Sequence, residues 1–259
     1  MRHVAIFGCP RSGTSWLGQI LNASEHVAYR YQPLFSYEFK DWFGRRGVSE
    51  ESLLAFRQAL LDARSDFVLQ DLRPAKGEPT HLVWKEVRYH ALMASLSSLE
   101  GLDALVYLFR DPVDVLNSWY LAPKEFRAGQ DIHAEWLHAP TKNVDACEFN
   151  GFARWKTSMR LACALAERHP GKFVPLSYER LRADPRTQVE RLFATLGLAV
   201  SPQVDAFIGE STSRQVADPY AVFRTEQTPL ALPEDIVAAI EGDAEARELL
   251  ARARGYALA

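Results

Sequence analysis

The residues best equipped for chemistry lie together in Gly8-Cys9-Pro10-Arg11-Ser12-Gly13-Thr14-Ser15-Trp16-Leu17. Gly8 and Gly13 bound a turn that follows the apolar run Val4-Ala5-Ile6-Phe7 and opens an amphipathic stretch. Such a turn lets backbone N–H groups converge, and the start of a helix adds partial positive charge, so the segment reads as a phosphate cradle. Ser12, Thr14 and Ser15 add hydroxyl donors, and Arg11 adds a full charge. The plainer alternative is a tight strand-to-helix turn with no ligand. The Walker pattern G-x-x-x-x-G-K-[ST] is the useful comparison. Gly8 and Gly13 keep its spacing, but Thr14 stands where its lysine belongs, and the apolar run at 103–109 leads into Arg110 rather than an acidic metal partner. Transfer of a γ-phosphoryl group with Mg²⁺ needs both parts. A P-loop kinase of small metabolites is therefore the runner-up, and no metal is expected.

Two further basic residues end apolar runs. Arg110 follows Val106-Tyr107-Leu108-Phe109, precedes Pro112, and has Ser118 eight residues on. That places the arginine at the carboxyl edge of a sheet, where α/β proteins bind ligands. The alternative is a surface ion pair with Asp111 or Asp114. Lys85 closes the run at 81–87, either facing a ligand or as a solvated strand end.

Short apolar runs alternating with amphipathic stretches predict a central, mostly parallel sheet flanked by helices, a three-layer P-loop-like α/β fold. Strands are expected near 3–8, 27–31, 81–87, 103–109 and 172–177, the last only if short or at an edge, because it contains Pro175. Helices are expected at 13–23, 49–63, 112–121, 148–168, 185–196 and 233–254. Ser49 is a plausible cap for the second, with Glu50 and Glu51 in its positive first turn. Irregular segments near 122–147 and 206–232 interrupt what reads as a single domain over 1–259.

The composition is that of an ordinary globular chain: 259 residues, 47% hydrophobic and 24% charged, with a formal net charge of −3. No global field favours nucleic acid, so any anion site must be local. Three cysteines without C-x-x-C spacing argue against a disulfide framework. The absence of a long apolar run and of a signal-peptide pattern leads to the expectation of a cytoplasmic protein with no membrane span. Oligomeric state is not legible.

The Pro10–Leu17 segment resembles the 5′-phosphosulfate loop of the PAPS-dependent sulfotransferases. Arg110-Asp111-Pro112 with Ser118 resembles their 3′-phosphate motif, and Tyr178-Glu179-Arg180-Leu181 resembles a third family segment. The three occur in family order over residues 4–197. The resemblance implies PAPS (3′-phosphoadenosine 5′-phosphosulfate) as donor co-substrate, with the 5′-phosphate on Ser12, Gly13, Thr14 and Ser15. It places the 3′-phosphate on Arg110 and Ser118, near Tyr178. Arg11 and Lys85 would stabilise charge at the reacting phosphosulfate. Trp16 matches a position that stacks on adenine, with ordinary core packing as the alternative. Arg214, in the polar 211–228 segment, would close over the 3′-phosphate, or is a solvated loop arginine.

Tyr29-Arg30-Tyr31-Gln32-Pro33-Leu34 looks like the carbohydrate sulfotransferase branch, which implies a saccharide or similar hydroxylated acceptor. That branch often has Glu where this chain has Gln32, which can hold a hydroxyl but cannot take its proton. The aryl branch has His two residues after the strand lysine, where this chain has Val87. The remaining base candidates are His90 and Glu38. The aromatic stretch around Glu38 is expected to bury its carboxyl; the alternative is a solvated face. A protein that binds 3′-phosphoadenosine nucleotides without catalysis stays open beside the enzyme.

Overall fold

Five apolar runs become five short strands: β1 (Arg2–Phe7), β2 (Val27–Tyr31), β3 (His81–Glu86), β4 (Ala104–Phe109) and β5 (Phe173–Ser177). The computed structural model describes residues 1–69, 77–213, 220 and 229–258. All the pairings are parallel, in the order β2-β3-β1-β4-β5, with Val4 opposite both Val83 and Ala104. β3 and β4 are buried along their whole lengths, the mark of a sheet covered on both faces. Pro175 is tolerated because β5 is five residues long and lies at the sheet's edge.

Side-chain alternation splits the core into two layers. Phe7, Trp84, Tyr107 and Phe109 line one face, and Val4, Ile6, Val83, Val106 and Leu108 line the other. Burying a side chain of this size contributes about 1.5–3 kcal/mol.

Among the described residues, eight helices have nine residues or more. They are α1 (Thr14–Asn22), α2 (Glu50–Leu61), α3 (Pro112–Tyr120), α4 (Phe152–Arg168), α5 (Pro185–Leu196), α6 (Pro202–Ser213), α7 (Glu234–Gly242) and α8 (Ala244–Tyr256). Leu17, Ile20 and Leu21 of α1 pack on the Val4–Ile6 face, whereas Val115, Leu116 and Trp119 of α3 pack on the opposite one. The chain thus leaves the adjacent strands β1 and β4 in opposite directions. That divergence opens a crevice at their carboxyl ends.

Three boundaries differ from the sequence expectation. The helix expected over 233–254 is two helices, because Asp243 caps a new one by accepting from the Ala246 N–H at 2.8 Å. The helix expected from 148 begins at Phe152, after Gly151 with φ 81. The segment expected to be irregular from 206 is helical to Ser213: Val204, Phe207, Ile208 and Ser211 share one buried stripe. Ser49 does cap α2, accepting from the Ser52 N–H at 3.1 Å while the Ser52 hydroxyl accepts from the Ser49 N–H at 2.9 Å.

Candidate active site

The turn after β1 is built to be narrow. A Cβ on Gly8 would lie 2.5 Å from the Leu108 carbonyl oxygen, so only glycine lets the β1 end lie this close to β4. Gly13 has φ 91, and a Cβ there would meet the Tyr178 ring at 2.6 Å. Between them the Ser12 N–H donates to the Cys9 carbonyl at 3.1 Å, and Arg11 is forced to φ 71. No side chain caps α1, so its first-turn N–H groups keep their donor capacity. The buried Ser12 Oγ has no hydrogen-bond partner among the described residues.

The loop is tied to the turn after β4. Arg110 Nη1 donates to the Arg11 carbonyl at 3.0 Å, and Arg11 Nε donates to Ser118 Oγ at 3.1 Å. The Arg110 guanidinium lies over the Tyr178 ring at 4.4 Å and makes a loose ion pair with Asp114 at 3.7 Å. Its Nε is buried and has no hydrogen-bond partner among the described residues. Arg110 thus pairs with an exposed acid while standing at the carboxyl end of β4. Tyr178 packs edge-on against Trp16, whose indole donates to Ser211 Oγ at 3.0 Å.

Glu179 holds this corner together. It accepts from the Asp111 N–H at 2.8 Å and from the Ser177 hydroxyl at 2.8 Å, joining the ends of β4 and β5. Sequence reasoning passed over it, although its place in the Tyr178–Leu181 segment was the available signal. Arg214 lies outside the described residues.

Lys85 is 1% exposed, which rules out a solvated strand end. Its ammonium lies 4.5 Å from the centre of the Tyr31 ring. Beside it, Gln32 has φ 40 and donates its N–H to the Lys85 carbonyl at 3.0 Å.

The two base candidates have contrasting surroundings. Contrary to expectation, Glu38 is exposed, and it accepts from the Ser65 N–H at 3.3 Å. Its aromatic neighbours diverge: Phe39 is buried while Tyr37 is fully exposed. His90 is fully buried, stacked on Phe149 at 4.3 Å and hydrogen-bonded to Ser158, which in turn bonds Tyr107. Burial pushes its imidazole down to about 3, leaving a neutral core group with little proton affinity. A buried acid that the sequence analysis missed is Glu86, next to Lys85 and 0% exposed.

The family model described as "Sulfotransferase family" matches residues 3–202, and the chain belongs to that family. It is 23% identical over 290 residues to carbohydrate sulfotransferase 3 of Mus musculus, covering 85% of this chain and 60% of that protein. Over 184 residues it is 29% identical to carbohydrate sulfotransferase 6 of Homo sapiens, covering 66% of this chain and 43% of that one. The chain thus spans roughly half the length of these relatives. Among solved structures it resembles a sulfotransferase from Alicyclobacillus acidocaldarius, with TM-score 0.55, 14% identity and coverage of 98% and 95% of the two chains. It also resembles a mouse sulfotransferase complexed with PAP, with TM-score 0.54, 12% identity and coverage of 97% and 89%. These likenesses establish the P-loop-like fold.

The expectation of a cytoplasmic protein is overturned by the kinship with carbohydrate sulfotransferases 3 and 6. Among the described residues no helix is long and apolar enough to cross a membrane. That bears on the described part of the chain and not on its compartment.

Proposed function

We propose that this chain transfers the sulfonate of PAPS to a hydroxyl group of a saccharide. The observation that carries the reading is the crossed pair of contacts, Arg110 to the Arg11 carbonyl and Arg11 to Ser118. PAPS bears a phosphosulfate and a 3′-phosphate on opposite sides of its nucleoside, and the crossed pair joins two cationic segments into one face suited to both. The residues fit such a ligand. Ser12 Oγ and Arg110 Nε are buried donors without partners among the described residues. Each unmade bond of this kind costs about 1–3 kcal/mol, which phosphate oxygens would recover.

In this reading the N–H groups and hydroxyls of Ser12, Gly13, Thr14 and Ser15 hold the 5′-phosphate. Arg110 and Ser118 hold the 3′-phosphate, and Trp16 and Tyr178 flank the adenine. The acceptor oxygen attacks sulfur in line, the bond from sulfur to the 5′-phosphate oxygen breaks, and its electron pair leaves with the 3′,5′-bisphosphate PAP. The hydroxyl proton passes to solvent or to a base of the complex. Lys85 and Arg11 stabilise the charge that collects on the departing oxygen. Because Lys85 is shielded from water, its charge acts there with little screening. Gln32 orients the acceptor through its amide, which offers a donor and an acceptor. The saccharide assignment is supported by the carbohydrate sulfotransferase relatives.

Calorimetry with PAP and AMP in the presence of EDTA tests the donor site. PAP should bind at least tenfold more tightly, without Mg²⁺, since a hydrogen bond to a charged group contributes about 1.5–3 kcal/mol. Equal affinity for the two nucleotides would remove the 3′-phosphate assignment. Radiolabelled PAPS incubated with a panel of neutral and uronic-acid disaccharides tests the acceptor class.

A further inference from the structure

The turn that carries Gln32 is held by two consecutive residues of β3, in two different ways. The Lys85 backbone carbonyl accepts from the Gln32 N–H at 3.0 Å. The Glu86 side chain accepts from the Leu34 N–H through Oε1 at 2.7 Å. Gln32 itself sits at φ 40, a conformation that costs a non-glycine residue on the order of 1–3 kcal/mol and persists only where its surroundings enforce it. The turn closes with the Phe35 N–H donating to the Gln32 carbonyl at 3.1 Å. That leaves the Phe35 ring 45% exposed beneath the Arg88 guanidinium at 3.9 Å.

We propose that Glu86 is a positioning residue for the acceptor: its side chain pins the Gln32–Leu34 turn to the end of β3 and so fixes Gln32 beside Lys85 and the Phe35 ring beneath Arg88.

Glu86 is an expensive choice for a structural anchor. It is 0% exposed, and its second oxygen, Oε2, has no hydrogen-bond partner among the described residues. A neutral amide could accept the same N–H without the desolvation of a charge. Burial pushes the carboxyl upward, opposed by the Leu34 N–H and by the charges of Lys85 and Arg88. Groups that reduce stability yet sit beside a reaction centre are characteristic of functional sites. The Oε2 atom, enclosed by protein and without a hydrogen bond among the described residues, adds to that cost.

This inference rests on the acceptor side assigned under the proposed function, and the experiment separates the two. Glu86→Gln keeps an oxygen for the Leu34 N–H; Glu86→Ala removes it. Hydrogen–deuterium exchange of the 30–37 segment needs no acceptor. Glu86→Ala should speed exchange at Leu34 at least tenfold, and Glu86→Gln should restore most of the protection. Unchanged exchange in the alanine variant overturns the anchor. PAP affinity should stay within twofold in both variants, since the turn is not part of the nucleotide cradle. On any disaccharide that the parent sulfates, Glu86→Ala should raise the acceptor KM at least tenfold with kcat within about threefold, and Glu86→Gln should recover most of it. Unchanged KM in Glu86→Ala overturns the positioning role. A collapse of kcat at constant KM in Glu86→Gln also overturns it, because the carboxylate would then be taking the proton itself. Failure of the parent to prefer PAP over AMP would sink the donor assignment and leave the exchange result standing.

Discussion

Arg110 reaches from the end of β4 to the backbone carbonyl of Arg11, 3.0 Å away, and so ties the glycine-bounded loop to the Arg–Asp–Pro turn. Arg110→Ala therefore removes the group proposed to hold the 3′-phosphate and loosens the loop at once. PAP affinity should fall by about 1.5–3 kcal/mol, the range for bonds to charged groups. Arg110→Lys should recover little, since a point charge cannot serve the carbonyl and a phosphate in the same fork geometry. Calorimetry on the folded variants decides the matter, and full affinity in Arg110→Ala would refute the assignment.

Gly13→Ala tests the narrowness of the cradle. At φ 91, with the Tyr178 ring 2.6 Å from the new Cβ, alanine should lower stability by about 1–3 kcal/mol from backbone strain alone. The Tyr178 ring must also shift, and Arg110 lies over that ring. Urea unfolding should show the loss, and PAP binding should weaken with it. A variant as stable as the parent would mean that the loop relaxes freely.

Glu38→Gln should leave turnover within twofold. Its carboxylate is exposed and bonded to the Ser65 N–H. General-base removal ordinarily costs about 10²–10⁴-fold in rate. A drop of that size in a sulfation assay would return Glu38 to the site.

Glu86 makes stability depend on pH in an unusual direction. Its folded carboxyl is raised from 4.5 to about 8 by burial, against the pull of the Leu34 N–H, Lys85 and Arg88, with Tyr89 also nearby. A raised acid binds protons more tightly when folded, so its contribution is complete at acid pH and is lost as pH rises from about 4.5 through about 8. Glu86→Gln should therefore gain in urea midpoint relative to the parent across that window. Parallel pH profiles for the two proteins would show that the carboxyl titrates normally.

The strands were legible because parallel β-runs buried on both faces are almost wholly apolar, as in Ala104–Phe109. The glycine-bounded turn after β1 was legible because its glycines and hydroxyls are contiguous. What the sequence hid was set by three-dimensional company. α6 carries only a thin apolar stripe among Ser, Thr, Asp and Glu, so its periodicity was weak. Glu38 and Phe39 are adjacent, yet one faces solvent and the other the core, a difference that no local pattern announces. No local pattern marks Glu86; only the fold brings the Leu34 N–H to it across 52 positions of sequence.

The edge strand β5 has a further consequence for how copies of this chain can meet. An open strand edge is a template on which another chain can add a strand. Here Pro175 supplies no N–H at the middle of β5, and its carbonyl is already taken by the Leu258 N–H at 3.3 Å. A strand arriving at that edge would find one donor missing and one acceptor occupied. Growth of the sheet into a fibre is blocked there by a single residue type and a single backbone bond, with no charged side chain needed to repel the newcomer.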